Sequence, residues 1–245
     1  PAKRDRTAPT SYLKGMPMKR VVATLAVLTF LCACSGSKKE PETLAKNGTW
    51  TTQKLLVASK DAALSSMETS ERGKAKALAE QGVEFAERCL MRAPENAGCH
   101  YWRAVNTGLY YKIRVIGYQK GIKQMVEDCK AVISVNPDYD HAGAYRMLGQ
   151  IYTKLPQTGG NVDSTTRDLS LAEGYLEKAI SLAPDYPENY LALSEVLFAQ
   201  NKYVEALDSL ATAKELTPHW KTDTSYNDWK VTMRGLENKL KKNDD

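Results

Sequence analysis

The chain has 245 residues, 42% of them hydrophobic and 26% charged, which is enough for one or two domains and a sizeable core. Its formal charge of +5 is unevenly placed. Six of the 34 Lys/Arg but only one of the 29 Asp/Glu lie in residues 1–33, and the remaining 28 of each sign cancel. The alkaline balance therefore gives no argument for a nucleic-acid partner. β-branched runs are scarce after residue 31, and Ala, Leu, Glu and Lys dominate, so the expected class is all-α.

Residues 1–17 show no hydrophobic period and begin without Met, and they read as a non-native upstream extension ahead of a start at Met18 or Met16. Residues 18–33 form the next segment. Lys19 and Arg20 make a basic n-region, and Val21 to Leu31 make an apolar run too short to span a hydrocarbon core of about 30 Å. This is the pattern of a signal peptide. Its end, Leu31-Cys32-Ala33-Cys34, resembles a bacterial lipobox: Leu at −3, a small residue at −1, then Cys. Cys34 fits better than Cys32, which follows the bulky Leu31. The resemblance implies a diacylglyceryl group on the Cys34 thiol, the alternative being an ordinary secretory signal with incidental cysteines. Ser35 in place of Asp after that Cys implies the outer membrane in a Gram-negative host. Residues 34–49 then form a lipidated N-terminus and polar tether. The expected location is the cell envelope, lipid-anchored on the periplasmic face.

Residues 50–245 read as one helical domain. Trp50 to Met67 and Glu71 to Met91 carry apolar stripes at helical spacing and form a first helix pair closed by Pro94. A second pair spans AGCHYWRAVNTGLYYKIRVIGYQKGIKQMVEDCKAVISVNP and ends at Asn136-Pro137. A third begins PDYDHAGAYRMLGQIY, passes through a loop at Pro156 to Arg167, and closes at Pro184. After Pro218, Ser225 is placed to cap a last helix with the stripe Tyr226, Trp229, Met233, Leu236 and Leu240.

Pro187 to Pro218, PENYLALSEVLFAQNKYVEALDSLATAKELTP, resembles one tetratricopeptide repeat. Counting Pro187 as position 1, small residues fall at 8, 20 and 27 (Ser194, Ala206, Ala213), where two helices approach closely. Larger apolar residues fall at 7, 11 and 24 (Leu193, Leu197, Leu210). The resemblance implies a right-handed superhelical stack of about four such helix pairs with a C-terminal capping helix. Pro94 to Pro137 is 43 residues and Pro137 to Pro184 is 47, against a 34-residue repeat. The excess of about nine in the former is expected between the helices, around Lys112 to Lys120. These two departures, at 112–120 and 156–167, are where individual function is sought.

In this register Cys89 takes position 27 of one unit and Cys99 position 3 of the next, places that abut, so a disulfide between them is expected; free buried thiols are the alternative. Cys129 reads as a free core residue. The three His (100, 141, 219) are scattered, and no CxxC, GxSxG, HExxH or phosphate-binding glycine loop occurs. No metal, no cofactor and no enzymatic activity are expected. Helix A positions facing a concave groove would be Tyr101, Val105, Arg146, Gln150, Leu191, Glu195 and Phe198. Such an aromatic-polar set suits a peptide, a partner protein or a small ligand, with plain solvated surface as the alternative.

The lipobox, the irregular pairs with HYWRAVNTGLYY and LGQIYTKLP, and the C-terminal cap together resemble the T-component lipoproteins of TRAP transporters over roughly residues 50–220. That resemblance implies a non-catalytic lipoprotein that partners a periplasmic solute-binding protein, with the capacity to form a homo-oligomer around a ligand channel. The alternative is a scaffold lipoprotein for outer-membrane or pilus assembly, which binds protein segments and needs no cavity.

Overall fold

A computed structural model describes residues 50–114, 116–160 and 162–243. Residues 1–49, with Cys34 and the segments expected to be signal peptide and tether, lie outside the described residues. Residues 48–245 make one compact unit. Among the described residues the secondary structure is all helical: α1 (Thr52–Glu68), α2 (Arg72–Arg92), α3 (Ala97–Ile113), α4 (Tyr118–Val135), α5 (Tyr139–Lys154), α6 (Leu169–Leu182), α7 (Pro187–Ala199), α8 (Tyr203–Leu216), a short 3-10 turn (Thr217–Trp220) and α9 (Tyr226–Lys241).

The helices form four antiparallel pairs. Each first helix packs against its partner and against the first helix of the next pair, so α1, α3, α5, α7 and α9 form one continuous row. One local device, repeated three times, sets this spacing. Ala93, Asn136 and Ala183 each precede a proline and share nearly the same backbone, with φ of −141°, −147° and −137° and ψ of 79°, 82° and 74°. Proline forbids the helical conformation to the residue before it. Each then closes a turn in which the N–H three residues on donates back: Asn96 to Ala93, Tyr139 to Asn136, Tyr186 to Ala183. Proline at the second position of such a turn has its φ already set. The fourth junction departs from the rule. Thr217 keeps helical angles (φ −52°, ψ −41°), and the chain runs on as the 3-10 turn.

Helix starts are capped from within the sequence. The Thr51, Asn96 and Asp168 side chains accept from the backbone N–H of Lys54, Cys99 and Leu171 at 3.2, 3.0 and 2.9 Å. Ser225 does not cap α9 with its hydroxyl. The carboxylate of Asp223 instead accepts the Ser225 N–H at 2.7 Å.

Inside the pairs, Ser194, Ala206 and Ala213 are buried together with Leu197 and Leu210. Ser194 is small enough for the close approach, and its hydroxyl donates to the Ala206 carbonyl at 2.6 Å, tying α7 to α8. Gly82 performs a similar spacing role between the first pair and the second: a Cβ there would lie 2.1 Å from the side-chain amide of Asn106 on α3. Among the described residues, two clusters of buried apolar side chains lie in the second to fourth pairs and α9, with Ala63 of α1 joining the first of them. One is built around Tyr101, Trp102, Met125, Cys129, Val132 and Leu148; the other around Leu176, Val196, Leu210, Trp229 and Leu236.

The two long units obtain their length differently. The excess expected between α3 and α4 is absorbed by the helices themselves. These have 17 and 18 residues against 13 and 14 in α7 and α8, and only four residues separate them. Gly117, immediately before α4, takes a φ of 77°. In the third unit the excess is a real loop. The Arg167 N–H donates to the Pro156 carbonyl at 2.9 Å and the Asp168 N–H to the Tyr152 carbonyl at 3.0 Å, so the loop closes on its own neck.

Candidate functional site

The row of first helices encloses a hollow of about 510 Å³. α1 contributes Lys60, α3 contributes Tyr101, Trp102 and Val105, α5 contributes Asp140, Arg146, Met147 and Gln150, the start of α7 contributes Tyr186 and Glu188, and the approach to α9 contributes Asp223. A second hollow of about 520 Å³ adjoins it. It is lined by Tyr111, Tyr118, Ile122, Ile151 and Leu155, with Lys112 and Lys154 at its charged margin. Gly108, Met125, Met147 and Gln150 line both, so the two form one groove with a polar and an apolar end.

Arg146 is the floor of the polar end. Its side chain is only 6% exposed. Its Nη1 donates to the Asn189 Oδ1 and to the His141 carbonyl, both at 3.1 Å, and its Nη2 approaches the Asp140 carboxylate at 3.5 Å. Its Nε lies 3.4 Å from the Glu188 carboxylate, and the guanidinium stacks 4.8 Å from the centre of the Tyr186 ring. Burial alone works against the charge, but Glu188, Tyr101, Tyr186 and Asp140 outweigh it and hold the guanidinium protonated more firmly than usual. Asn189, itself fully buried, donates to the His141, Ala179 and Ala183 carbonyls and so fixes the acceptor that faces Arg146.

The backbone is bent to serve this residue. Asp140, His141 and Ala142 have φ of 53°, 56° and 59°, a left-handed turn at the start of α5. Each such non-glycine residue costs about 1–2 kcal/mol. The turn presents the carbonyls of Asp140 and His141 to the Arg146 guanidinium. The Tyr101 hydroxyl donates to the Asp140 carboxylate. Burial, then the Asp140 charge, pushes its phenol well above the usual range. Gly143 lets this contact form: a Cβ there would sit 2.5 Å from the Tyr101 oxygen. Behind the floor, the His141 ring stacks on Tyr186 at 4.4 Å, and Trp220 meets both rings edge-on. The departure at Thr217 is what brings Trp220 there.

Of the residues singled out on sequence, Tyr101, Val105, Arg146 and Gln150 line the groove. Leu191 does not: it is 4% exposed and belongs to the second core cluster, because α7 turns that face inward. Glu195 pairs with Lys154 at 3.2 Å, and Phe198 packs on Tyr203 with ring centres 5.7 Å apart. Sequence reasoning passed over Asp140, Tyr186, Glu188 and Asp223. A signal existed in NPDYD and APDYPE, two inter-unit turns of one design, each followed by an acidic residue at the start of a first helix.

The structure joins Cys89 to Cys99, with Cα atoms 5.9 Å apart, and leaves Cys129 free and buried. His100 is held between two acceptors, the Asp128 carboxylate at 2.7 Å and the Pro94 carbonyl at 2.8 Å. Asp128 is buried and also accepts two bonds from Arg103, at 2.9 and 2.6 Å, so this cluster ties α3 to α4. Among the described residues, no group of three or more His, Cys, Asp or Glu is disposed to hold a metal ion. Also among them, no helix is long and apolar enough to cross a membrane.

Residues 166–222 match the tetratricopeptide repeat family. They cover α6, α7, α8 and the 3-10 turn. Among solved structures, the chain is similar to a thermophilic tetratricopeptide-repeat protein of Thermus thermophilus, at 20% identity and a TM-score of 0.51, over 76% of this chain and 98% of that one. At that identity the likeness is one of fold. No curated protein matches the chain. The fold is thus an all-helical stack of the tetratricopeptide-repeat type.

Proposed function

We propose that this chain is a non-catalytic docking lipoprotein of the cell envelope, anchored through lipid on Cys34, whose groove receives a segment of a partner protein. The observation that carries the docking reading is the groove across the row of first helices, which unites a preorganised polar floor at Arg146 with an apolar end. Repeat stacks of this kind expose an extended concave wall suited to protein segments. The lipobox supports the anchor, and the irregular helix pairs support a periplasmic solute-binding protein of a TRAP-type transporter as the partner. The open, charged floor favours the second reading, a scaffold for outer-membrane or pilus assembly, which binds protein segments and needs no cavity.

The test is co-purification from detergent-solubilised membranes, with Cys34→Ser as the unanchored control. Recovery of a solute-binding protein supports the first partner. Recovery of only β-barrel or pilus subunits overturns it in favour of the second. Unchanged membrane retention of the Cys34→Ser chain overturns the anchor.

A further inference from the structure

We infer that the groove selects a peptide segment in which a lysine or arginine side chain lies next to a run of aliphatic residues. This rests on the docking reading above and adds the chemistry of the occupant.

The argument is an inventory of donors and acceptors at the polar end. Tyr101 donates to Asp140, Trp102 to the Tyr139 hydroxyl at 3.2 Å, Gln150 to Glu188 at 3.4 Å, and Tyr186 to Asp223 at 3.4 Å. Arg146 is buried and engaged on every side. The long donors of the wall are therefore directed at the wall itself. The acceptors are in surplus. Three carboxylates, Asp140, Glu188 and Asp223, face one buried guanidinium and one peripheral ammonium, Lys60, which lies 5.5 Å over the Trp102 ring. A carboxylate accepts up to about four hydrogen bonds. Asp140 and Glu188 keep 36% and 24% of their side-chain surface open to solvent. These oxygens are held in place by Tyr101, Arg146 and Gln150, so a cation meets them already oriented. The Trp102 ring adds an aromatic face that already accommodates an ammonium.

The apolar end has the opposite character. Ile122, Met125, Met147, Ile151 and Leu155 form a wall that offers no hydrogen bonds, and its two methionines can repack around aliphatic groups of varied shape. Because both ends share Met125 and Met147, one continuous segment can fill them together. A purely aliphatic segment would cover the open oxygens of the carboxylates without supplying a donor, and an acidic one would add like charge to them.

The test uses the full chain and fluorescence anisotropy with three short labelled peptides, identical except that Arg, Gln or Glu precedes a Leu/Ile run. Decanoate serves as a competing anionic amphiphile. The Arg peptide is expected to bind about tenfold tighter than the Gln peptide, with the Glu peptide weakest and the Arg advantage shrinking in salt. Asp223→Asn keeps an oxygen for the Ser225 N–H, removes one of the three carboxylates, and is expected to lower the Arg-over-Gln affinity ratio by about twofold. If that variant fails to fold, the salt dependence on the unsubstituted chain decides. Equal binding of the Arg and Gln peptides, or preference for Glu, overturns the charge selection but leaves the docking reading standing. Binding of decanoate with none of any peptide, or no binding of any probe, overturns both.

Discussion

Gln119 grips Thr165 by both backbone groups: its Nε2 donates to the Thr165 carbonyl and its Oε1 accepts the Thr165 N–H, each at 3.1 Å. The pair joins the first turn of the lengthened α4 to the loop of the third unit. The two departures from repeat length are therefore one structural feature, adjoining the apolar end of the groove at Tyr118 and Leu155.

Replacing Gln119 by Ala removes two hydrogen bonds, each worth about 1 kcal/mol net. The neck bonds from Arg167 and Asp168 remain, so global stability should fall by less than about 2 kcal/mol. Amide exchange at Thr165 and its neighbours should accelerate strongly while α5 and α6 keep their protection. Hydrogen exchange read by mass spectrometry checks this. An unchanged loop would show that the neck alone orders it.

Arg146→Met leaves Asp140 and Glu188 without their cation and removes the group for which the left-handed turn is held. The buried Asn189 amide and the His141 carbonyl lose their donor, at a cost of about 1–3 kcal/mol, while the solvent-open carboxylates rehydrate. The urea midpoint should fall accordingly, while Lys154→Met, at a mostly exposed pair with Glu195, should change stability by less than about 1 kcal/mol. Similar losses for both would contradict the structural weight given to Arg146.

Much of this architecture was legible because prolines mark it. Pro94, Pro137, Pro184 and Pro218 end helices, and the buried Ser194, Ala206 and Ala213 set the repeat register. That register also placed Cys89 opposite Cys99 and put Tyr101, Val105, Arg146 and Gln150 on one wall. The carboxylate partners of Arg146 were not legible. Glu188 and Asp223 come from different helix starts, with no local spacing to connect them. Asp140 enters through a left-handed turn that helical periodicity does not encode. The length of α3 and α4 was hidden too. A helix that gains a turn and a loop that gains four residues look alike when only the distance between prolines is counted.

The Cys89–Cys99 bridge closes a short ring with a sequence separation of 10 across the α2–α3 junction. Its removal in the Cys89→Ala/Cys99→Ala chain should lower stability by about 2–3 kcal/mol, measured by urea unfolding. In the native chain Cys129 should resist alkylation, because it is buried and burial pushes its thiol far up. Rapid labelling of Cys129 without unfolding would overturn that placement.

Glu173 connects α6 to the α7–α8 turn. Its carboxylate accepts from Lys202 Nζ at 2.8 Å and from Gln200 Nε2 at 2.9 Å. Partial burial would raise its pKa, but these hydrogen bonds outweigh it and hold it below the usual 4.5. A carboxyl whose folded pKa is depressed binds fewer protons folded than unfolded. Its contribution is therefore present above about 4.5 and lost as pH falls through the lower folded value. Glu173→Gln should lower stability at pH 7 modestly and flatten the loss between pH 5 and 3. Thermal melts across that range check the slope; parallel curves for the two chains would contradict the linkage.

The two apolar clusters meet through few side chains, chiefly Tyr152, which packs against both and stacks on Tyr175 at 6.0 Å. The groove has walls from each: Trp102 and Met125 belong to one cluster, while Tyr186 belongs to the other. An occupant therefore rests on side chains rooted in both clusters. Because it binds only where both are in place, its binding free energy adds to the stability of the whole folded stack, and the melting temperature of the chain becomes a readout of its arrival.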